Sequence, residues 1–129
     1  MHEHNRHLRD HEFVPADAVS WPALYATEKT PLAEKVVVAR YEFGAMTWLV
    51  LEYDPEQHRA FCWADLGVNG AEVGYTMLDE IEMLKAGTWV VATRDTEWVP
   101  KRFDEAAPPE AWLYTLSERD QEKWRRANA

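Results

Sequence analysis

Acidic side chains are the residues of this chain best spaced for chemistry. Glu52, Asp54, Asp65 and Glu72 follow one another closely, and Arg94-Asp95 comes from a later element. Clustered carboxylates can hold divalent cations and activate water for hydrolysis. Glu52 and Asp54 share a strand face if a strand runs that far. A metal-dependent hydrolase or nuclease using Glu52, Asp54, Asp65 and Asp95 is therefore one expectation. The competing one is that acids at strand ends solvate turns, which is the commoner role. A Pro-Asp followed by a Glu-X-Lys pair, as in restriction nucleases, is not found.

Other chemistries have less to build on. Nucleophilic catalysis needs a Ser, Thr or Cys within reach of a His. Cys62 alternates with Ala60 and Ala64 and reads as a small core residue, while Ser20 and Ser117 read as helix caps. His4, His7 and His11 would share a face if the start were helical, and imidazoles so spaced hold Zn²⁺ or Ni²⁺. Together with His2 they more simply form a solvated tail over residues 1–12. His58 falls in a turn and reads as exposed. Gly67-Val-Asn-Gly70 lacks the Lys and the strand-to-helix setting of a phosphate loop. No Cys/His spacing makes a structural zinc site, and no cofactor is implied.

Charge and aromatic residues point to binding. The formal charge is −9, and residues 42–110 carry all of it, with fourteen acids against five bases. Such a surface repels duplex nucleic acid and attracts a basic protein. Trp48, Phe61, Trp63, Tyr75, Trp89 and Trp98 come from neighbouring elements. Most belong in a core, but any left exposed beside carboxylates would make an aromatic patch with a charged rim, suited to protein recognition. The expected contact residues are Glu52, Asp54, Trp63, Asp65, Glu72, Tyr75, Arg94 and Asp95. A small-ligand pocket lined by Trp and Tyr is a further reading.

The elements that must position these residues are legible from pattern. At 129 residues the chain is expected to form one domain with a core over 20–103. Asp17 or Ser20 would cap a short helix through Leu24 and Tyr25. Lys35–Tyr41 is β-branched and short. Met46–Tyr53, with Met46, Trp48 and Val50 on one face and Leu49, Leu51 and Tyr53 on the other, reads as a central strand. Asp54–His58 turns it into Arg59–Asp65 as a hairpin. Gly74-Tyr75 gives a brief strand. Thr76 then caps a helix whose face is Met77, Leu78, Ile81 and Leu84, with Gly87 ending it. Thr88–Thr93 is a strand, and Glu97–Phe103 is extended. Asp104–Glu110 is linker-like, and Ser117 caps a surface helix to Ala127. Hairpins without βαβ crossovers imply an α+β fold, with a mainly antiparallel sheet of four to five strands, a central helix and helical termini.

The pieces LYATE (24–28), VVVARY (36–41), TWLVLEYDPE (47–56), FCWADLG (61–67), EVGYTMLDEIE (72–82) and RDTEWVP (94–100) occur in order. In this combination the segment from Leu24 to Pro100 resembles the bacterial domain-of-unknown-function 2958 family. The pieces that carry the resemblance do not include residues 1–20 or those after Phe103. The resemblance implies a small cytoplasmic protein often carried on plasmids and other mobile elements, with no established activity, cofactor or catalytic residues. The association suggests an anti-defence or transfer-related role. A lone Cys, no apolar leader and no run approaching the roughly 20 residues of a spanning helix agree with a cytoplasmic protein. The leading expectation is a non-catalytic interaction module whose acidic face meets a basic partner or mimics nucleic acid. Oligomeric state is open.

Overall fold

A computed structural model describes residues 3–68 and 70–129, so the expectations for His2 and Asn69 lie outside the described residues. The chain is α+β. Its first strands are β1 (Val36–Val37), β2 (Ala39–Phe43), β3 (Met46–Asp54), β4 (Arg59–Asp65) and β5 (Ala71–Met77). Helix α1 (Leu78–Glu82) follows directly, then β6 (Lys85–Ala86), β7 (Val90–Val91), β8 (Thr93–Arg94) and β9 (Lys101–Arg102). The C-terminal part holds α2 (Phe103–Ala106), two 3₁₀ turns and α3 (Glu118–Ala127). Among the described residues the main sheet has five antiparallel strands in the order β5-β4-β3-β2-β8.

β3 sits at the centre because it is apolar on both faces, and Trp48 through Tyr53 are all buried. Its register against β4 shifts between Val50 and Glu52. This bulge inserts Leu51 and reverses the alternation beyond it. Tyr53, expected beside Leu49 and Leu51, therefore packs with Trp48 and Val50 instead.

The two faces are covered differently. On the first, Trp48, Val50, Tyr53 and Cys62 meet Phe13, Tyr41, Leu78 and Ile81. On the second, Leu49, Leu51 and Trp63 meet Val37, Phe103 and Trp112, with Leu116 and Trp124 packed outside them. Ser117 caps α3 by accepting from the backbone N–H of Asp120, as its sequence position predicts. Trp112 and Trp124 meet edge to face at 5.8 Å and seat α3 on the second core.

Several local expectations are corrected. The helix predicted from Thr76 to Lys85 is only Leu78–Glu82. Thr76 and Met77 instead pair with Ala60 and Arg59, so the sheet ladder takes the residues that the capping pattern assigned to the helix. Gly87, at φ 62°, lies between β6 and β7, where a left-handed turn residue is required, and does not end α1. Ala92 separates β7 from β8, so Thr88–Thr93 is not one strand. The Asp104–Glu110 stretch is not a linker, because Phe103, Ala107 and Ala111 are buried in the second core.

The helical turn near the start runs over Ala16–Ser20 and ends before Pro22, Leu24 and Tyr25. Neither Asp17 nor Ser20 caps it, since the Ser20 hydroxyl donates to the Asp17 carbonyl. Glu3–Glu12 is docked rather than solvated. The Arg9 guanidinium is fully buried and donates to the carbonyls of His4, Glu82 and Ala92 and to the Glu3 carboxylate. His4, His7 and His11 do not share a helical face, because only Arg6–Leu8 forms a short 3₁₀ turn. His11 Nε2 accepts from the Arg94 backbone N–H at 3.0 Å.

Candidate binding site

The expected carboxylate cluster does not form. Glu52 is 3% exposed and points at the 25–27 loop, where it accepts from the backbone N–H groups of Tyr25 and Thr27 and from the Thr27 hydroxyl. Lys35 closes this network by donating to the carbonyl and hydroxyl of Thr27. Asp54, Asp65 and Asp95 each accept from the backbone N–H two residues on, at 3.0 Å, and so stabilise their own turns. In the register, Asp54 pairs with Arg59 and Asp65 with Thr47, so these two acids lie at opposite ends of the hairpin. Seven residues of strand between them amount to about 20 Å. Among the described residues, the one His/Asp/Glu group close enough to hold a metal ion is a different one, formed by His58, Asp79 and Glu82. The turn histidine and the two helix acids carry no sequence motif, and only the packing of α1 against the β3–β4 turn joins them.

Other expected residues have local tasks. Trp63 is buried and meets Phe103 edge to face at 6.1 Å. Arg94 donates to the carbonyls of Glu12 and Phe13, tying the N-terminal segment to β8. Trp98 donates its indole N–H to the Val37 carbonyl, and the Lys101 ammonium lies 4.4 Å from its ring centroid. Trp89 is 77% exposed, at the tip between β6 and β7.

Glu72 lines a groove on the first face of the sheet, whereas the Tyr75 side chain, paired across the ladder with Phe61, turns to the second face and only borders that groove at the edge strand. α1 is less than two turns long and cannot cover β3, β4 and β5 alone. It leaves a groove of about 380 Å³ whose floor is small, formed by Cys62, Ala64 and Gly74. Met46, Trp48, Leu66, Ile81 and Leu84 supply apolar walls. Exposed Glu72 and Glu80 line its edge. A Cβ added at Gly74 would meet nothing within 4 Å, so the floor is open above that residue. Burial pushes the Cys62 thiol up to about 11, while the nearby Thr76 hydroxyl lowers it. At neutral pH the sulfur is therefore an apolar part of the floor and not a nucleophile.

Tyr75, 44% exposed on the edge strand, makes a separate aromatic patch on the other face of the sheet. Its ring is 5.2 Å from Phe61 and 6.0 Å from Tyr25, and the Arg59 guanidinium lies 4.7 Å from its centroid. The groove's apolar walls and carboxylate edge can receive a ligand that is apolar on one side and cationic on the other. Of the groove's lining, sequence pattern singled out Glu72 and Tyr75, and only Glu72 turns its side chain to the groove's face. The pattern missed Gly74 and Leu84, because the opening depends on where α1 stops.

No helix among the described residues is long and apolar enough to cross a membrane. Comparison with curated proteins gave no match, and comparison with solved structures gave none. A family model described as a protein of unknown function (DUF2958) matches residues 9–120, and the chain belongs to that family.

Proposed function

We propose that this protein is a non-catalytic interaction module whose groove between α1 and strands β3–β5 receives a basic, amphipathic segment of a partner protein. One observation carries the reading. The groove of about 380 Å³ is apolar in its floor and walls and acidic at its edge, in a chain of net charge −9. Apolar side chains of the partner would fill the space over Gly74, and its lysines or arginines would meet Glu72 and Glu80. A cytoplasmic setting fits the single buried thiol. On a mobile element, such a module would act by occupying a basic protein, as an anti-defence factor or a nucleic-acid mimic does.

A defined probe tests the reading. A labelled 20-residue helical peptide of leucines and lysines is titrated with the full chain and followed by fluorescence anisotropy. Saturable binding is expected at 50 mM salt, weakened at least tenfold at 300 mM, where exposed charges are screened. Glu72→Lys with Glu80→Lys should weaken it further. No saturable binding, or binding indifferent to both salt and the charge reversals, overturns the proposal.

A further inference from the structure

Away from the groove, where α1 packs on the β3–β4 turn, His58, Asp79 and Glu82 converge. One ligand atom from each lies within 4.8 Å of the others. His58 Nδ1 and Asp79 Oδ1 are 3.2 Å apart. Both atoms are buried, yet among the described residues neither makes a hydrogen bond of acceptable geometry. A simple His–Asp ion pair would align a proton between them. Instead, both atoms stand without such a bond, within 4.8 Å of a Glu82 carboxylate oxygen.

The charges there are also incomplete. Glu82 is 4% exposed and makes no ion pair among the described residues. Its Oε1 accepts from the His4 backbone N–H, which leaves lone pairs unused on the carboxylate. The nearby Arg9 guanidinium bonds the Glu82 main-chain carbonyl and the Glu3 carboxylate, not the Glu82 carboxylate. Among the described residues Asp79 makes its one ion pair with His58. A buried carboxylate without a counter-charge is costly, and a bound cation removes that cost.

We propose that His58 Nδ1, Asp79 Oδ1 and the Glu82 carboxylate bind one divalent transition-metal ion, with Zn²⁺ as the best fit. Zinc takes His nitrogen and carboxylate oxygen at about 2.0–2.2 Å in a tetrahedron, which sets neighbouring ligand atoms about 3.4 Å apart. The 3.2 Å between Nδ1 and Oδ1 is already close to that edge. One nitrogen and two oxygens favour zinc over calcium or magnesium, which take oxygen ligands. Three protein ligands leave a fourth position for water or another ligand. His58 and Glu82 both line a cleft of about 370 Å³, which gives that position an approach. The backbone holds the ligand set in place: His58 stands at φ 54° and its carbonyl accepts from the Leu78 N–H, which fixes the turn against the start of α1.

The test is calorimetric titration of ZnCl₂ into the chelator-treated full chain carrying His4→Ala and His7→Ala, which removes exposed imidazoles from competition. One site of micromolar or tighter Kd is expected, with a rise in Tm and a large shift of the His58 Nδ1 resonance. His58→Asn tolerates the left-handed backbone, and Asp79→Asn preserves shape. Each should weaken binding at least tenfold while circular dichroism is unchanged. The proposal is overturned if the His4/His7 double variant takes up no zinc, or if it binds equally well after both site substitutions, or if the His58 resonance does not respond.

Discussion

The two faces of the central sheet differ in how completely they are covered. The second face lies under α2, the 3₁₀ turns and α3, which place Phe103, Ala107, Trp112 and Trp124 over Leu49, Leu51 and Trp63. The first is covered by the N-terminal segment at one end and by a five-residue helix in the middle. The groove, the cleft and the His58–Asp79–Glu82 group all lie on or beside that thinly covered side. The second face of the sheet is therefore sealed by its cover, and the first leaves space directly over its strands.

The comparison can be broken first at the closed side. Phe103 is fully buried, so Phe103→Ala should cost about 3–5 kcal/mol in denaturant unfolding. Any loss of peptide binding should track unfolding alone. On the open side the largest single support is Arg9. Replacing it with Met leaves buried carbonyls without a donor and takes from Glu3 its closer ion-pair partner, and should cost about 3 kcal/mol. Proteolysis should then cut first within residues 3–13, since those residues lose their buried tie to Glu82 of α1 and to Ala92.

High pH should loosen the same side. Burial pushes Cys62 from 9 up to about 11, and burial with the nearby Asp79, Asp54 and Glu82 carboxylates pushes Tyr53 from 10 up to about 12. Both belong to the first-face core, as does Tyr41, whose hydroxyl burial also raises. The folded chain keeps protons that the unfolded chain releases. Stability is thus full below pH 9 and falls as pH rises through 9 to 12. For Cys62 alone the loss is on the order of 3 kcal/mol. Cys62→Ala should move the onset of the fall from about pH 9 to about pH 10, read by denaturant midpoints across the range.

The smallest expected stability change sharpens the contrast most. Gly74→Val adds a β-branched side chain at an extended position with open space, so stability should change by less than about 1 kcal/mol, in the stabilising direction. The same substitution fills the groove floor and should abolish peptide binding.

How much of this was legible depended on the range of the interactions. Arg59–Asp65 was readable to the residue because alternation and a Pro-containing turn are local signals. The Ser117 cap is likewise local. The bulge at Leu51 was not, since it is a property of pairing with β4. α1 was overextended because a capping pattern competes with a ladder whose partner is invisible in one strand's sequence. The docking of residues 3–13 was hidden for the same reason: the carbonyls that hold Arg9 belong to residues 73 and 83 positions away. The expected acid site failed because turn-stabilising aspartates and clustered ones look alike until the register is known.

The most direct test of the binding account is an amide and indole NMR spectrum of the full labelled chain as the leucine–lysine peptide is added. Shifts are predicted at Ala64, Gly74, Thr76, Leu84 and the Trp48 indole, with the Trp112 and Trp124 indoles unmoved. Shifts centred on Trp112 and Trp124, or none at any of these groups at saturating peptide, would contradict the account.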